Sequence, residues 1–251
     1  MVNKSELIFC DSHIHIADIQ DWKPVNHSFV CSCAHSKTEF IIVEKAAAFF
    51  NDIVVPSFGI HPQNIDLCMI EYLEKLLVEN RIAAIGEVGF DLFSSDFAMN
   101  FERQQQVWNI QLDLALKYNK PLVIHCRKAL DKIFPYAKKL SKLPAVLFHS
   151  FSGSPQEAKA FLNRGINAWF SFSKQILKGN KRAILCVTQL PLENLLAETD
   201  APFQTLAGEV FTKPEDIVCV YKKIAELRNE SLSVICNQLE INFKHLFKNE
   251  F

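Results

Sequence analysis

The sequence predicts an α/β protein folded as a (β/α)8, or TIM, barrel, and three observations support this fold. The chain has 251 residues, a length that α/β barrels commonly use for a single domain. Short apolar runs alternate with longer stretches of helical periodicity, which is the pattern of βα units around a parallel sheet. There are eight apolar runs, the number of strands that closes such a barrel.

The predicted strands are residues 7–13, 28–33, 53–59, 82–87, 121–126, 145–149, 167–172 and 194–198. Between them, apolar residues recur every three or four positions, as in the stripe Leu67, Ile70, Leu73 and Leu77. Segment 16–27 contains Pro24 and has little periodicity, so we expect a short loop there instead of a full helix. No linker, repeat or low-complexity run divides the chain, so residues 1–251 are predicted to form one domain.

Composition limits the class of protein. The formal net charge of −1 gives no overall basic signature for nucleic acid, so a polyanionic partner would need a local patch. The eight cysteines show no C-x-x-C spacing, which suits a reducing compartment better than a disulfide framework. No apolar run resembles a signal sequence or reaches about 18 residues. We therefore expect a cytoplasmic protein with no membrane segment and no obligate protein partner.

Residues of the types that can bind metals lie at or just after the predicted strand ends. They are His13 and His15 on strand one, His61 after strand three, Glu87 at the end of strand four, His125 and His149 on strands five and six, and Asp200 beyond strand eight. In a barrel these ends form the active face, so we expect the side chains to converge there. Any one histidine alone is more often a core or surface residue. His27, His35 and His245 are interpreted in that way, as structural or solvated.

Six of these residues form the predicted ligand set: His13, His15, Glu87, His125, His149 and Asp200. Four imidazoles and two carboxylates are too many for one tetrahedral ion and fit two ions, with Glu87 as the shared ligand. The mixed nitrogen and oxygen donors suit Zn, Mn, Fe, Co or Ni, and Mg where a phosphate adds further oxygens. The spacing does not choose among these metals.

The chain resembles the TatD-like family of metal-dependent hydrolases. The matching segments occur in family order and are Asp11-Ser12-His13-Ile14-His15, Gly59-Ile60-His61-Pro62, Gly86-Glu87-Val88-Gly89-Phe90-Asp91, Ile124-His125-Cys126-Arg127, His149-Ser150-Phe151-Ser152-Gly153 and Glu198-Thr199-Asp200-Ala201-Pro202. The resemblance implies a two-metal phosphodiesterase, often a DNase. It also implies one ion held by His13, His15, Glu87 and Asp200, and a second held by Glu87, His125 and His149. Residues 203–210 lack the basic run usual in the family.

The predicted function is hydrolysis of DNA by a water that two divalent metal ions activate. Asp200 is the candidate general base, Glu87 the central ligand, and Arg127 a candidate clamp for a phosphate oxygen. His61 could hydrogen-bond a phosphate or the leaving group. For Arg127, an ordinary surface ion pair is the alternative.

Two other functions and one further segment remain open. The same metals could hydrolyse a small ester, lactone or amide, and the barrel could be a non-catalytic metal-binding protein. Segment 173–182 carries four cations after strand seven, where barrels often bind phosphate. We interpret it first as a solvated helix face, with a nucleic-acid contact as the alternative.

Overall fold

The computed structural model describes residues 7–25, 28–50 and 53–247. The strands are β1 Phe9–Ile14, β2 Ser28–Ala34, β3 Val54–Phe58, β4 Ala84–Asp91, β5 Leu122–Arg127, β6 Val146–Phe148, β7 Ala168–Phe172 and β8 Leu195–Ala197. The α-helices are α1 Lys37–Phe49, α2 Met69–Val78, α3 Ser95–Met99, α4 Phe101–Lys117, α5 Leu130–Ile133, α6 Ala137–Leu140, α7 Pro155–Leu162, α8 Lys181–Gln189, α9 Ile217–Arg228 and α10 Leu232–Phe247. Each predicted strand overlaps an observed one.

The eight strands form one parallel sheet in chain order, from β1 to β8. Its two edges meet at the carboxyl ends of β1 and β8, where His15 N donates to Ala201 O at 2.9 Å and Asp200 N donates to His13 O at 3.0 Å. The sheet is therefore a nearly closed barrel, and the predicted (β/α)8 fold is confirmed.

Two apolar clusters hold the barrel together. The larger one lies between the sheet and the surrounding helices, as expected when both faces of a parallel sheet are buried. The smaller one combines strand residues such as Cys10, Cys31 and Ala84 with Phe243 and Leu246 of α10. The Phe243 ring also stacks near Phe29, at 6.2 Å between centroids, close to the start of β2. Helix α10 thus covers the end of the barrel opposite the rim that carries His13.

Strand β4 differs from its prediction in one respect that matters for the site. The predicted strand ends at Glu87, but β4 continues to Asp91, so Glu87 lies in mid-strand. The pairing with β5 shifts register between Gly86 and Val88. A Cβ on Gly86 would meet the Val123 Cβ at 2.4 Å, so only glycine allows this close approach.

The first crossover agrees with its prediction. Residues 16–25 contain a single 3-10 turn, Ile16–Asp18, and no full helix, as expected for the first crossover. All eight cysteines are free. Over the described ranges, the structure contains no helix with both the length and the apolar character that crossing a bilayer requires. His27 lies outside the described residues.

Candidate metal centre

Strand β1 brings two buried imidazoles to the rim of the barrel. Because side chains alternate along a strand, His13 and His15 project from the same face, and their Nε2 atoms lie 3.1 Å apart. Asp11 fixes the strand end: its Oδ1 accepts from Thr199 N at 3.0 Å and its Oδ2 from Thr199 Oγ1 at 2.6 Å. These bonds attach β1 to the segment that carries Asp200.

Glu87 is the centre of the cluster. Its side chain is 3% exposed, and its two oxygens face different histidines. Oε1 lies 2.6 Å from His125 Nδ1 and 2.6 Å from His149 Nε2. Oε2 lies 3.3 Å from His13 Nε2 and 3.7 Å from His15 Nε2. A single carboxylate therefore joins two pairs of imidazoles.

Asp200 faces the first pair from the other side. Its Oδ1 lies 3.5 Å from His13 Nε2 and 3.3 Å from His15 Nε2. Its Oδ2 accepts from Gln204 Nε2 at 2.9 Å, and Gln204 also bonds Ser150 and Ser173. The orientation of this carboxylate is therefore fixed by the segments that follow β6, β7 and β8.

Three of the imidazoles contact a second group on the side away from Glu87. His125 Nε2 lies 3.0 Å from Asp91 Oδ2, and His149 Nδ1 lies 3.6 Å from Glu198 Oε1. His13 Nδ1 lies 3.3 Å from the sulfur of Cys33. Partners of this kind orient a ligating histidine and select which nitrogen faces the metal.

Burial and close charges shift the pKa values of the acids and bases in opposite directions. Burial acts to raise the pKa of Glu87, but the imidazoles of His149, His61 and His13 outweigh it and hold the pKa well below its usual value. In the same way, contact with His15 outweighs burial and lowers the pKa of Asp200 to about 2. Both carboxylates are ionised at neutral pH and available as ligands.

The donor set fits metal cations. Asp91 accepts hydrogen bonds, so Nε2 of His125 carries a hydrogen and the neutral ring turns its Nδ1 lone pair toward Glu87 Oε1. Two acceptors at 2.6 Å need a cation or a proton between them. Burial acts to lower the pKa of His125 and of His149, but the nearby carboxylates outweigh it and raise both values. These carboxylates attract a proton to the rings in the same way as they would attract a metal cation. Among the described residues, four triplets of possible ligands each place their ligand atoms within 4.8 Å of one another: His13, His15 and Asp200; His13, Glu87 and His149; His15, His35 and Glu87; and His61, Glu87 and His125.

Comparison with known proteins identifies the family. The family described as TatD related DNase matches residues 10–248 of this chain. A relative described as an uncharacterized metal-dependent hydrolase, YjjV of Escherichia coli K12, is 32% identical over 198 residues, covering 76% of this chain and 75% of that protein. The chain belongs to the TatD family. The resemblance seen in the sequence motifs is confirmed, and the protein is a metal-dependent hydrolase.

One further relative and the crystal structure of YjjV itself bear on the activity and fold of this TatD-family protein. The chain is similar to a protein named 3'-5' ssDNA/RNA exonuclease TatD from Pantoea ananatis, with 28% identity over 218 residues, covering 81% of this chain and 82% of the relative. It is also similar to the crystal structure of YjjV, a TatD homologue from Escherichia coli. That comparison gives a TM-score of 0.82 and 28% identity, and covers 96% of this chain and 98% of that one.

Most of the candidate metal ligands of this TatD-family protein line a cavity of about 720 Å³. Both predicted substrate-binding residues line it. His61 Nε2 lies 3.4 Å from Glu87 Oε1, and burial lowers the pKa of His61 to about 4, so it is neutral at pH 7. The Arg127 guanidinium is held at the mouth, 4.1 Å from the ring centroid of Phe93 and 3.8 Å from Asp91 Oδ2.

Two predictions about neighbouring residues were wrong. His35 was expected to be structural or solvated, yet it follows β2 directly, lines the cavity and brings its Nε2 to 3.6 Å from Glu87 Oε2. Lys174 was expected on a solvated helix face, yet it is 1% exposed and pairs with Glu209 and Asp216. The rest of segment 173–182 contains the cavity-lining Lys178, and exposed cations at the start of α8.

Asp91 and Gln204 were also missed. Asp91 stands in a quoted family segment, but a strand ending at Glu87 gave it no position in the site. Its observed place, at the end of β4, follows the same strand-end rule that located the other residues. Gln204 had no signal in the sequence, since only the path of the segment after Pro202 brings it to Asp200.

Proposed function

We propose that this protein hydrolyses phosphodiester bonds of nucleic acid, with DNA as the expected substrate, and that it uses two divalent cations. The observation that supports this most strongly is Glu87, whose two oxygens face two separate sets of imidazoles. One cation would be held by His13, His15, Glu87 and Asp200, and the other by Glu87, His125 and His149. The Pantoea relative named as an exonuclease supports a nucleic-acid substrate.

When bound, two cations would lower the pKa of a water and neutralise charge on phosphate oxygens. Asp200 would orient that water and accept its proton, and the hydrogen bond from Gln204 to Oδ2 would hold the carboxylate in place for this role. The distances of Oδ1 to His13 and His15 place it beside the first ligand pair.

The cavity mouth supplies groups for a phosphate. The Arg127 side chain is 46% exposed beside its contact with Asp91, so an incoming phosphate can reach the planar guanidinium, which would bind two of its oxygens. Gln63 N donates to His61 Nδ1 at 3.2 Å, so the neutral His61 ring carries its hydrogen on Nε2 and can donate it to a phosphate or leaving oxygen. Lys178 adds a further positive charge to the lining. The single domain, the cytoplasmic location and the lack of an obligate protein partner stay predictions.

The test is a substrate screen with purified protein loaded in turn with Mg²⁺, Mn²⁺ and Zn²⁺. We expect cleavage of labelled single-stranded DNA that stops when a chelator is added. Asp200→Asn should slow turnover by about 10² to 10⁴-fold, the usual effect of removing a general base. Glu87→Gln should lose both metal and activity. His245→Gln changes an exposed histidine of α10 and serves as the matched control.

The same screen contains the competing outcomes. A phosphomonoester, a lactone and a simple ester are tested beside DNA. Chelator-sensitive cleavage of the lactone or ester with DNA left intact would replace the phosphodiesterase by a carbonyl hydrolase. Full metal content in Glu87→Gln would show that Glu87 is not the central metal ligand.

A further inference from the structure

Phe203 places an aromatic ring in the wall of the cavity. Among the described residues that line the cavity, it is the one large apolar side chain, and it is 51% exposed. The ring makes an edge contact with the imidazole of His15, at 5.2 Å between centroids and 77° between planes. A lone phenylalanine on an open surface needs no explanation, but this one lies directly beside a candidate metal ligand. A contact with a molecule in the cavity accounts for that position better than core packing does.

The backbone on both sides of the ring is fixed. Phe203 N donates to the carbonyl oxygen of Asp200 at 2.7 Å. The next residue, Gln204, donates to Asp200 Oδ2 at 2.9 Å and accepts from Ser173 Oγ at 2.6 Å. The ring is therefore presented at a defined place beside the first proposed ligand set, and little conformational freedom remains to be lost when a molecule stacks on it.

Charged groups divide the wall of the cavity into two parts. Arg127 at the end of β5 and Lys178 after β7 are cations, whereas Asp18 after β1 and Glu39 on α1 are acids. A phosphate is attracted to the first part and repelled by the second. Phe203 follows β8, which lies between β7 and β1 in the barrel. The ring is thus at the boundary of the two parts, where an uncharged group attached to a phosphate can be placed.

A nucleobase is the uncharged group that matches such a ring. A phenylalanine side chain offers no hydrogen bond, so it favours a flat π-face over a sugar or a phosphate. Every base has a π-face, and proteins that bind single strands combine aromatic rings for the bases with a cationic groove for the backbone. Phe203, Arg127 and Lys178 provide that combination in one cavity.

We propose that Phe203 is a stacking platform for a base of the nucleic-acid substrate, and that it makes the protein specific for nucleotides among phosphodiesters. The face of the base must be free, so the base that stacks on Phe203 is unpaired, as it is in a single strand. Stacking reads no hydrogen-bonding edge, so the platform accepts different bases with little preference. The inference rests on the proposed function and deepens it by naming the part of the substrate that is recognised.

The experiment compares two short single strands of equal length and equal charge. One carries thymine at every position, and the other carries a stable tetrahydrofuran abasic analogue at every position. Cleavage of each strand by the whole, metal-loaded protein is measured as kcat/KM, and the ratio between the strands separates the contribution of the bases from that of the phosphates. We expect wild type to prefer the thymine strand by about fivefold or more, the effect of stacking one base.

Three variants assign that preference to the ring. Phe203→Ala should lower the ratio by about fivefold or more, whereas Phe203→Trp keeps an aromatic face and should retain or raise it. Phe211→Ala is the matched control, because Phe211 is 52% exposed on the same segment but lies outside the cavity wall. It should leave the ratio within about twofold of wild type.

Equal cleavage of both strands by wild type would overturn the proposal, as would an unchanged ratio in Phe203→Ala. An equal loss in Phe203→Trp or in Phe211→Ala would also overturn it. A ring that only supports His15 would change the cleavage of both strands by the same factor, which leaves the ratio unchanged. Failure of the proposed function looks different, because metal-loaded wild type then leaves both strands intact and the inference falls with it. Metal-dependent cleavage with a ratio that does not depend on Phe203 removes the platform alone.

Discussion

Glu87 determines the chemistry of this site because it is an ionised carboxylate that is almost completely removed from water. A buried carboxylate without partners is strongly unfavourable, so its surroundings must supply positive charge or hydrogens. Here the nearest atoms are imidazole nitrogens, and His125 presents a lone pair instead of a hydrogen. Cations satisfy both the carboxylate and the lone pair.

Asp91 supports that arrangement from the edge of the His125 ring that faces away from Glu87. Its Oδ2 accepts from Gln63 Nε2 at 2.6 Å and lies 3.0 Å from His125 Nε2, and its Oδ1 accepts from Phe93 N at 2.8 Å. The ionised Asp91 carboxylate is therefore the acceptor for all three donors, from Gln63, His125 and Phe93. Asp91 thereby keeps the hydrogen of His125 on Nε2 and leaves Nδ1 free to face Glu87.

We predict that Asp91→Asn weakens metal binding by about 10 to 100-fold while the fold is retained. The asparagine amide must turn its NH₂ group toward Phe93 N–H or toward the Gln63 and His125 donors, and either choice sets donor against donor. Affinity is measured by competition with a chromophoric chelator. Asp113→Asn, which alters an exposed aspartate paired with Lys139, is the control and should bind metal normally.

The pH dependence of the same variant gives a second check. Although burial opposes it, the contacts with His125, Phe93 N–H and Gln63 lower the pKa of Asp91 to about 2, from 3.8. A depressed carboxylate pKa contributes stability above the unfolded value that is lost as pH falls through the folded one. In chelated protein, the free energy of unfolding should differ between wild type and Asp91→Asn by a constant amount only between about pH 4 and about pH 6. Above that range the loss of Asp91 also changes the titration of His125, whose pKa Asp91 raises from 6.5 against the effect of burial. The difference should shrink toward pH 2, and a pH-independent gap would contradict this role.

For single residues, the sequence predicts well which ones lie at the carboxyl ends of the strands, but it predicts their contacts poorly. His13, His61, His125 and His149 were placed by one rule, that residues at the carboxyl ends of parallel strands converge. His35 obeys that rule too, since it directly follows β2, which ends at Ala34, one residue beyond the predicted end at 33. The position of Asp91 depends on the register shift at Gly86, which arises from contact with Val123 on the neighbouring strand and leaves no local pattern.

The segment after β8 is the element that covers one side of the site, and a buried lysine anchors it. Lys174, just after β7, places its Nζ 2.6 Å from Glu209 Oε2 and 2.5 Å from Asp216 Oδ2. Between these anchors the segment exposes the apolar side chains of Phe203, Val210 and Phe211. Without the ion pairs, little apolar burial would hold it in place.

Lys174→Met should release this segment. Removing the lysine leaves two carboxylates without their cation, and breaking a buried pair costs about 3 to 5 kcal/mol. Glu209 and Asp216 are 32% and 25% exposed, so water offsets part of the loss and we expect about 1 to 3 kcal/mol. Urea unfolding measures the stability, and limited proteolysis measures access to residues 203–211.

Lys181→Met is the control, because Lys181 is an exposed cation of the same stretch of chain. It should leave stability within about 0.5 kcal/mol of wild type. Equal protease resistance in Lys174→Met and Lys181→Met would show that the ion pairs do not hold the segment. The sequence alone suggested solvation for Lys174, since its partners lie more than thirty residues further along the chain.

Across the whole molecule, closure of the sheet is what assembles the site. Ligand candidates come from strands that are far apart in sequence, and β1 and β8 meet through Asp11 and Thr199 as well as through backbone bonds. The opposite end of the barrel is covered by α10, which packs Phe243 and Leu246 into the inner cluster. The candidate metal ligands therefore lie at one end of the barrel, and apolar side chains of α10 cover the other end.

The overall fold was predictable because its signals are local. Each strand is a short apolar run, longer helices such as α9 have an apolar stripe, here Ile217, Val220 and Ile224, and the count of eight selects the barrel. The distances that distinguish a metal centre from scattered histidines are set by packing between strands. Only the structure shows that His13 and His149 stack at 4.0 Å between ring centroids.

The central claim, that Glu87 joins two cations, is tested most directly by anomalous diffraction from crystals of the metal-loaded protein. We predict two strong peaks, one bonded to His13, His15 and Asp200 and the other to His125 and His149, with Glu87 bonded to both. Crystals of Glu87→Gln should lose both peaks. Metal bound elsewhere in wild type, or two undiminished peaks in Glu87→Gln, would contradict the claim.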